Sequence, residues 1–349
     1  MSLAIDNSNF FIPKRREGTR NFMDVSLENR ISEFNSVHGL FLEKILPPEI
    51  FQDLRKVILS DGIESEAAFR IRQYFLSGDN KNPISQITQW VDNNPYNPRV
   101  FRMLYGEQDI ISPLDKFFIL TSGAHAIYLR LQSVINRLPE VIGRERKRLG
   151  LKKDEKYVIY NVGAAYGLDT IYMMAEHPEI QEFVQVVHID PDEESLRCGQ
   201  CYAERLGVAH CVEFVAKKIE EAQLGKAHML LFIGMFCPMP TKRCVFTLSF
   251  IKNFLFENGI AIFSTVQEKM LDEGAILDFI MWMAGWRMYF KTDNEPGKIA
   301  QMAGLRHEKA MDWEDELGYN RMTVARVPKR SVLSRIGNVI NVARTYMFL

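Results

Sequence analysis

Residues 157–190 read YVIYNVGAAYGLDTIYMMAEHPEIQEFVQVVHID. The first four form a short β-rich run, the segment NVGAAYG follows as a turn of small residues, and the stretch through Glu176 has the pattern of a helix. A second apolar run begins at Glu182 and ends on the carboxylate of Asp190. This succession of strand, turn, helix and strand predicts one unit of an open α/β sheet.

The turn at 161–167 is suited to binding a nucleoside or dinucleotide. Glycines let the backbone turn sharply and approach a ligand, and the following helix presents unpaired N–H groups at its positive end. Asp190 can accept hydrogen bonds from both hydroxyls of a ribose. The turn lacks the G-x-G-x-x-G pattern of nicotinamide-binding proteins, because Ala165 and Tyr166 interrupt it. A nicotinamide dehydrogenase is therefore disfavoured, and a tight turn without a ligand is the simpler alternative.

The sequence resembles the class I S-adenosylmethionine-dependent methyltransferases in three features. They are a hydrophobic strand, the turn N-x-G-x-A-x-G after it, and H-I-D-P at the end of the next strand. The resemblance covers residues 157–327. It implies S-adenosylmethionine as cofactor and a Rossmann-like, seven-stranded, doubly wound α/β sheet with an antiparallel last strand. The chain departs from the family pattern in having Asn161 where an acid is usual and Ala165 where the middle glycine is usual.

The resemblance also implies which residues contact the cofactor. Asp190 is expected at the ribose, the 161–167 turn at the methionine end, Asp169 at the cofactor ammonium and Tyr166 at the sulfonium. Gly234 and Phe236 follow a buried strand at its carboxyl end, where open α/β sheets bind ligands, and Met235 and Phe236 either flank the sulfonium or pack as core. The full predicted set is Asn161, Gly163, Ala165, Tyr166, Gly167, Asp169, Asp190, Gly234 and Phe236.

The sequence assigns no side chain to adenine recognition or to the role of catalytic base. Lys217 and Lys218 stand where many family members have an acid that recognises the adenine amino group, so backbone groups are expected to take that role. No catalytic base is identifiable from the sequence.

Three segments are predicted. Residues 1–150 form a helical N-terminal domain or cap, which by resemblance forms the acceptor pocket, and residues 151–328 form the S-adenosylmethionine-binding domain. Residues 329–349 form an amphipathic helix that docks on the protein, on a second subunit or on a membrane surface. Within the first segment, a helix from Ser122 to Leu138 is expected to end where Pro139 begins another. Its side chains at His125, Tyr128 and Arg130 either face the cleft or pack at the surface.

The composition restricts the class of protein. The 349 residues are 47% hydrophobic and 25% charged with a formal net charge of −1, which predicts an ordinary globular protein that does not attract nucleic acid. No signal-peptide core or membrane-spanning run is evident, so a cytoplasmic location is expected. The basic run at 143–153 lacks aromatic residues and indicates a solvated helix end. Cys198 and Cys201 have C-x-x-C spacing but fall within a predicted helix without a second pair, so no metal site is expected.

The predicted function is an S-adenosylmethionine-dependent methyltransferase that acts on a small-molecule acceptor, with a homodimer left open. One alternative keeps the cofactor but transfers or cyclises its aminocarboxypropyl chain and releases methylthioadenosine, as nicotianamine synthases and azetidine-carboxylate-forming enzymes do. Another alternative is a non-catalytic subunit that binds the cofactor.

Overall fold

A computed structural model of the protein describes residues 26–62, 65–78, 84–93, 97–104, 110, 112–273 and 288–329. The chain divides into two compact units: one comprises residues 1–128 and 268–290, and the other comprises 129–267 and 291–349. The predicted C-terminal amphipathic helix lies outside the described residues, apart from Lys329. None of the helices within these described ranges has the length and apolar content that crossing a membrane requires.

The first unit is built from helices. They are α1 Leu27–Phe34, α2 Val37–Ile45, α3 Pro48–Lys56, α4 Glu66–Leu76, α5 Gln86–Asn93, α6 Pro98–Leu104 and α7 Pro113–Leu120, and α8 Ser122–Leu149 starts in this unit. Serines begin several of them: Ser26 accepts a hydrogen bond from the Asn29 N–H, and Ser65 accepts one from the Ala68 N–H. Such caps satisfy N–H groups that a helix cannot pair internally. The predicted helical character of this segment is therefore confirmed wherever it is described.

The prediction that Pro139 interrupts the long helix is wrong. Helix α8 runs unbroken from Ser122 to Leu149 with Pro139 inside it. A proline removes one helical hydrogen bond and typically costs about 3 kcal/mol. The same apolar stripe continues on both sides of it, because Val134, Leu138 and Ile142 are all buried. Packing of that stripe outweighs the lost hydrogen bond.

The second unit contains a mixed β-sheet. Its strands are β1 Tyr157–Val162, β2 Val184–Ile189, β3 Val212–Val215, β4 Ala227–Phe232, β5 Leu255–Val266, β6 Arg306–His307, β7 Trp313–Glu314 and β8 Asn320–Arg326. Helices α9 Leu168–Glu176, α10 Glu193–Arg205, α11 Thr241–Ile251 and α12 Glu295–Met302 connect them. The strand order is β3-β2-β1-β4-β5-β8-β6, with β7 also paired to β8. Strands β1 to β5 are parallel, and β8 runs antiparallel to β5.

The predicted fold class is confirmed. The sheet is doubly wound and its last long strand is antiparallel, as expected. It has eight strands where seven were expected, because the two-residue strand β7 also pairs with β8. Strands that short carry no detectable alternation in a sequence.

A buried ion pair connects α8 to the last strand. Both guanidinium Nη atoms of Arg326 bond the Glu145 carboxylate, at 2.7 and 2.8 Å. Burial raises the pKa of Glu145, but hydrogen bonds from Arg326 and Arg148 outweigh it and hold that pKa below its usual value. Residues 143–149 of the basic run are thus the end of α8, and Arg148 there pairs with Glu145.

Candidate functional site

The site expected from the strand order lies between β1 and β4. From β1 the chain proceeds to β2 and β3 on one side and then returns to β4 on the other, and open α/β sheets bind ligands beyond the carboxyl ends of strands at such a switch point. The loops after these two strands are in contact, since a Cβ built on Gly163 would lie 3.3 Å from Met235 Sδ. Of the residues singled out after β4, Met235 therefore contacts the 161–167 turn.

The 161–167 turn has an unusual backbone. Gly163, Ala165 and Gly167 have φ angles of 65°, 48° and 67°, all in the left-handed region. Alanine enters this region at a cost because of its Cβ. Strained backbone of this kind persists only where the surroundings impose it and is concentrated at functional sites.

Asp190 connects this turn to the end of β2. Its Oδ2 accepts a hydrogen bond from the Ala165 N–H at 2.9 Å, and its Oδ1 accepts one from the Asp192 N–H at 2.9 Å. Burial raises the pKa of Asp190, and these two hydrogen bonds oppose the rise. A carboxylate offers about four acceptor positions, so each oxygen can still accept a hydrogen bond from a ligand hydroxyl.

Asn161 and Asp169 form a second pair beneath the turn. The buried Asn161 amide donates to Asp169 Oδ1 at 3.0 Å, and the Thr170 N–H donates to the same oxygen at 2.9 Å. Burial raises the pKa of Asp169, and these hydrogen bonds together with the charge of Arg130 oppose the rise. Asp169 thus supplies a carboxylate in the first turn of α9, and Asn161 positions it.

Gly167 is required by a histidine that sequence reasoning did not single out. A Cβ on Gly167 would lie 2.2 Å from two atoms of the His188 ring. His188 is fully buried, stacks on Phe214 with ring centroids 4.9 Å apart, and has no hydrogen-bond partner for either ring nitrogen within the described residues. Burial lowers its pKa to about 3. A lone histidine in the apolar run VVHID was the available signal, and it reads equally well as core.

Two of the predicted residues pack into the protein. The Tyr166 side chain is buried, and its ring centroid lies 6.3 Å from that of Tyr202 on α10. Phe236 is fully buried between Phe232 and Phe263, at 5.7 and 5.2 Å. For Phe236 this packing fits the core alternative, and for Tyr166 it indicates a structural role.

Gly234 lies among polar groups from two other segments, β5 and α8. Its N–H donates to Ser264 Oγ on β5 at 2.6 Å, and a Cβ built on it would lie 3.1 Å from Arg130 Nη2. Arg130 Nη1 in turn lies 3.9 Å from the buried Cys237 thiol. The sequence signal for Ser264 was a lone hydroxyl near the end of an apolar strand. Cys237 directly follows Phe236 in the segment after β4, but nothing in the sequence predicted its contact with Arg130.

Other candidate residues lie apart from these contacts. Lys217 and Lys218, just after β3, are exposed, and Lys218 pairs with Glu221 at 3.7 Å. Cys198 and Cys201 lie on α10 as expected, and no metal-binding cluster of acids, histidines and cysteines occurs in the part of the chain that the structure describes. In the helical unit, His125 and Tyr128 are both exposed.

No protein-family model matches this sequence, and no curated protein matches it. Several solved structures align with this chain at low sequence identity and with TM-scores below 0.5. The Synechocystis PCC 6803 magnesium protoporphyrin IX methyltransferase is 16% identical with a TM-score of 0.48, covering 69% of this chain and 97% of its own. An O-methyltransferase family 2 protein from Planctomyces limnophilus is 13% identical with a TM-score of 0.42, covering 88% and 99%. The Burkholderia thailandensis 1,6-didemethyltoxoflavin-N1-methyltransferase is 16% identical with a TM-score of 0.40, covering 57% and 79%.

The strand order itself identifies the fold. A doubly wound parallel sheet, a small-residue turn after β1, an acid at the end of β2 and an antiparallel strand inserted beside β5 are all present. The chain has a Rossmann-like, doubly wound α/β fold with an antiparallel strand beside β5.

Proposed function

We propose that this protein is an S-adenosylmethionine-dependent methyltransferase that acts on a small molecule. The observation that carries the proposal is the hydrogen bond between the Ala165 N–H and Asp190 Oδ2 at the switch point of the sheet. It joins a strained small-residue turn to a carboxylate with acceptor capacity left over. That combination suits a ligand with an adjacent pair of hydroxyls, such as a ribose.

The residues present fit the cofactor. Asp190 would accept hydrogen bonds from the ribose hydroxyls, and the left-handed turn at 163–167 leaves room for a ligand close to the backbone. Asp169 would pair with the ammonium of the methionine end. When bound, S-adenosylmethionine supplies an electrophilic methyl group on a sulfonium.

The protein's own residues mainly position the reactants. Methyl transfer is an in-line displacement, so its rate depends on holding acceptor and donor in line and on excluding water. The contact between Asp190 and Ala165 and that between Asn161 and Asp169 fix the turn and the first turn of α9 before any ligand binds. Such preorganisation lowers the entropic cost of reaching the reactive geometry.

A small acceptor is favoured over a nucleic acid. The formal net charge is −1, whereas proteins that bind nucleic acid depend on clustered basic side chains to neutralise phosphates. The basic segment at the end of α8 is partly used in pairing with Glu145.

Calorimetry on the full chain tests cofactor binding. We expect S-adenosylmethionine and S-adenosylhomocysteine both to bind, and Asp190→Asn to weaken both by about tenfold or more, since hydrogen bonds to a charged group are worth about 1.5–3 kcal/mol. The control is Asp154→Asn, which removes an exposed carboxylate before β1. Thermal melts of both variants separate lost binding from lost folding. Equal affinity of Asp190→Asn and wild type contradicts the proposed site.

Product analysis tests the reaction. Incubation with S-adenosylmethionine and the small-molecule fraction of a cell extract should release S-adenosylhomocysteine, detected by mass spectrometry. Accumulation of methylthioadenosine would contradict methyl transfer. Cofactor binding without turnover in any extract would favour a non-catalytic subunit.

A further inference from the structure

Arg130 places a positive charge at the ligand-binding edge of the sheet. It lies on α8 within the sheet unit and is partly exposed. Its Nη2 and Nη1 would lie 3.1 and 3.3 Å from a Cβ built on Gly234, which follows β4. The guanidinium therefore packs directly on the loop at the switch point.

The Arg130 guanidinium lacks a carboxylate partner among the described residues, where its one hydrogen-bonding contact is the Cys237 thiol at 3.9 Å. Burial raises the pKa of Cys237, so at neutral pH this partner is an uncharged, weak acceptor. Arg148 and Arg326 of the same unit are instead paired with the Glu145 carboxylate at 2.7 Å. Five donors in a planar fork match a carboxylate in two-point geometry.

The nearest acids are engaged by other donors. The charge of Arg130 acts on Asp169 and Asp315 and opposes the rise that burial causes in the pKa of each. Yet Asp315 accepts hydrogen bonds from the backbone and amide of Asn320 at 3.0 and 2.7 Å, and Asp169 accepts from Asn161 at 3.0 Å. Neither acid forms a salt bridge with Arg130, so the guanidinium donors that do not face the Cys237 thiol are available to a ligand.

We propose that Arg130 binds a carboxylate of a ligand held at the carboxyl end of β4, an inference that rests on the proposed function. The carboxylate comes from one of two sources. It is either the methionine carboxylate of S-adenosylmethionine, whose ammonium Asp169 would take, or a carboxylate on the acceptor. Both sources present the same chemistry to the guanidinium, and experiment distinguishes them.

The first arm uses calorimetry with two probes, S-adenosylmethionine and its decarboxylated analogue. If the cofactor supplies the carboxylate, Arg130→Gln weakens the binding of S-adenosylmethionine by about 10- to 100-fold and leaves the affinity for the decarboxylated analogue unchanged. Arg130→Lys keeps the positive charge without the forked guanidinium, so it should lose less affinity for S-adenosylmethionine than Arg130→Gln does. The control is Arg137→Gln, an exposed arginine two turns along α8 that pairs with Glu140.

The second arm uses turnover. Small molecules from a cell extract are separated by anion exchange, and S-adenosylhomocysteine formation is measured with each fraction. If the acceptor supplies the carboxylate, Arg130→Gln binds S-adenosylmethionine normally but loses turnover with the retained, anionic fraction by about tenfold or more. Circular dichroism and melting of each variant establish that it is folded.

The proposal is overturned if Arg130→Gln keeps the wild-type affinity for S-adenosylmethionine and the wild type turns over no fraction faster than Arg130→Gln does. That result leaves cofactor binding by the wild type intact, so the proposed function survives it. A wild type that does not bind S-adenosylmethionine removes the proposed function and this inference together.

Discussion

Gly167 offers a stringent test of the geometry of the 161–167 turn, because both its backbone conformation and a neighbouring side chain oppose its replacement by alanine. Its backbone has φ 67°, a left-handed conformation that costs an L-residue about 1–2 kcal/mol. The new Cβ would also lie 2.2 Å from the Cε1 and Nδ1 atoms of His188. That ring cannot move aside freely, since it is fully buried and stacks on Phe214. Overpacking of this kind adds about 1–3 kcal/mol.

We therefore expect Gly167→Ala to lower the free energy of unfolding by about 2–5 kcal/mol. The matched control is Gly150→Ala: Gly150 has φ 68°, but an added Cβ would meet no atom within 4 Å. It should lose only the backbone contribution of about 1–2 kcal/mol. Urea denaturation followed by circular dichroism measures both variants.

A double-mutant cycle isolates the contact itself. His188→Ala removes the ring, so it should relieve part of the cost of Gly167→Ala, and the double variant should be more stable than the sum of the single effects by about 1–3 kcal/mol. If Gly167→Ala costs no more than Gly150→Ala, or if the two changes are additive, then the His188 ring does not lie against the turn and the reasoning is refuted.

Two further predictions concern buried polar groups near the turn. His188 has a pKa of about 3 in the folded protein against about 6.5 when unfolded, so the unfolded chain binds an extra proton as the pH falls. The free energy of unfolding should therefore fall below about pH 6.5 by up to about 1.4 kcal/mol per pH unit. His188→Leu should lack this component when the free energy of unfolding is measured by urea titration at pH 7.5, 6 and 5. The same dependence on pH in the wild type and in His188→Leu would contradict this prediction. Asn161→Asp would replace an amide that donates to Asp169 over 3.0 Å with a second carboxylate. Calorimetry should show weaker S-adenosylmethionine binding than wild type above about pH 6, because two such acids repel, and tighter binding would refute this.

Much of the sheet could be predicted from the sequence because its strands are marked locally. Central parallel strands are buried on both faces and read as short apolar runs, as YVIY and HMLLFI do. The observed β1 and β4 begin within one residue of those runs, at Tyr157 and Ala227. The strand β7 escaped prediction because pairing with β8 defines it and no local pattern does.

The candidate site was predictable where it follows the chain and unpredictable where it depends on distant segments. The succession of strand, turn, helix and strand identifies the 161–167 turn and Asp190, and the structure brings them into contact. Arg130 was one of three polar side chains on a helix with equal claims. Only the packing of α8 against Gly234, more than 100 residues away in the chain, distinguishes it from the exposed His125. The role of Phe236 was ambiguous in the sequence because its stacking on Phe232, which places it in the core, is a tertiary contact.

The departure at Asn161 shows why a motif is better judged by charge placement than by residue identity. Where the family pattern has an acid at the end of β1, this chain has an amide, which by itself would remove a negative charge from the edge. The amide instead donates to Asp169, eight residues later on α9, and holds that carboxylate beside the turn. The pair carries the same net charge as the single acid it replaces, and the Thr170 N–H fixes its geometry further. Because the charge now comes from the helix, removing it requires a change at Asp169, while a neutral replacement of Asn161 acts only through the position of that acid.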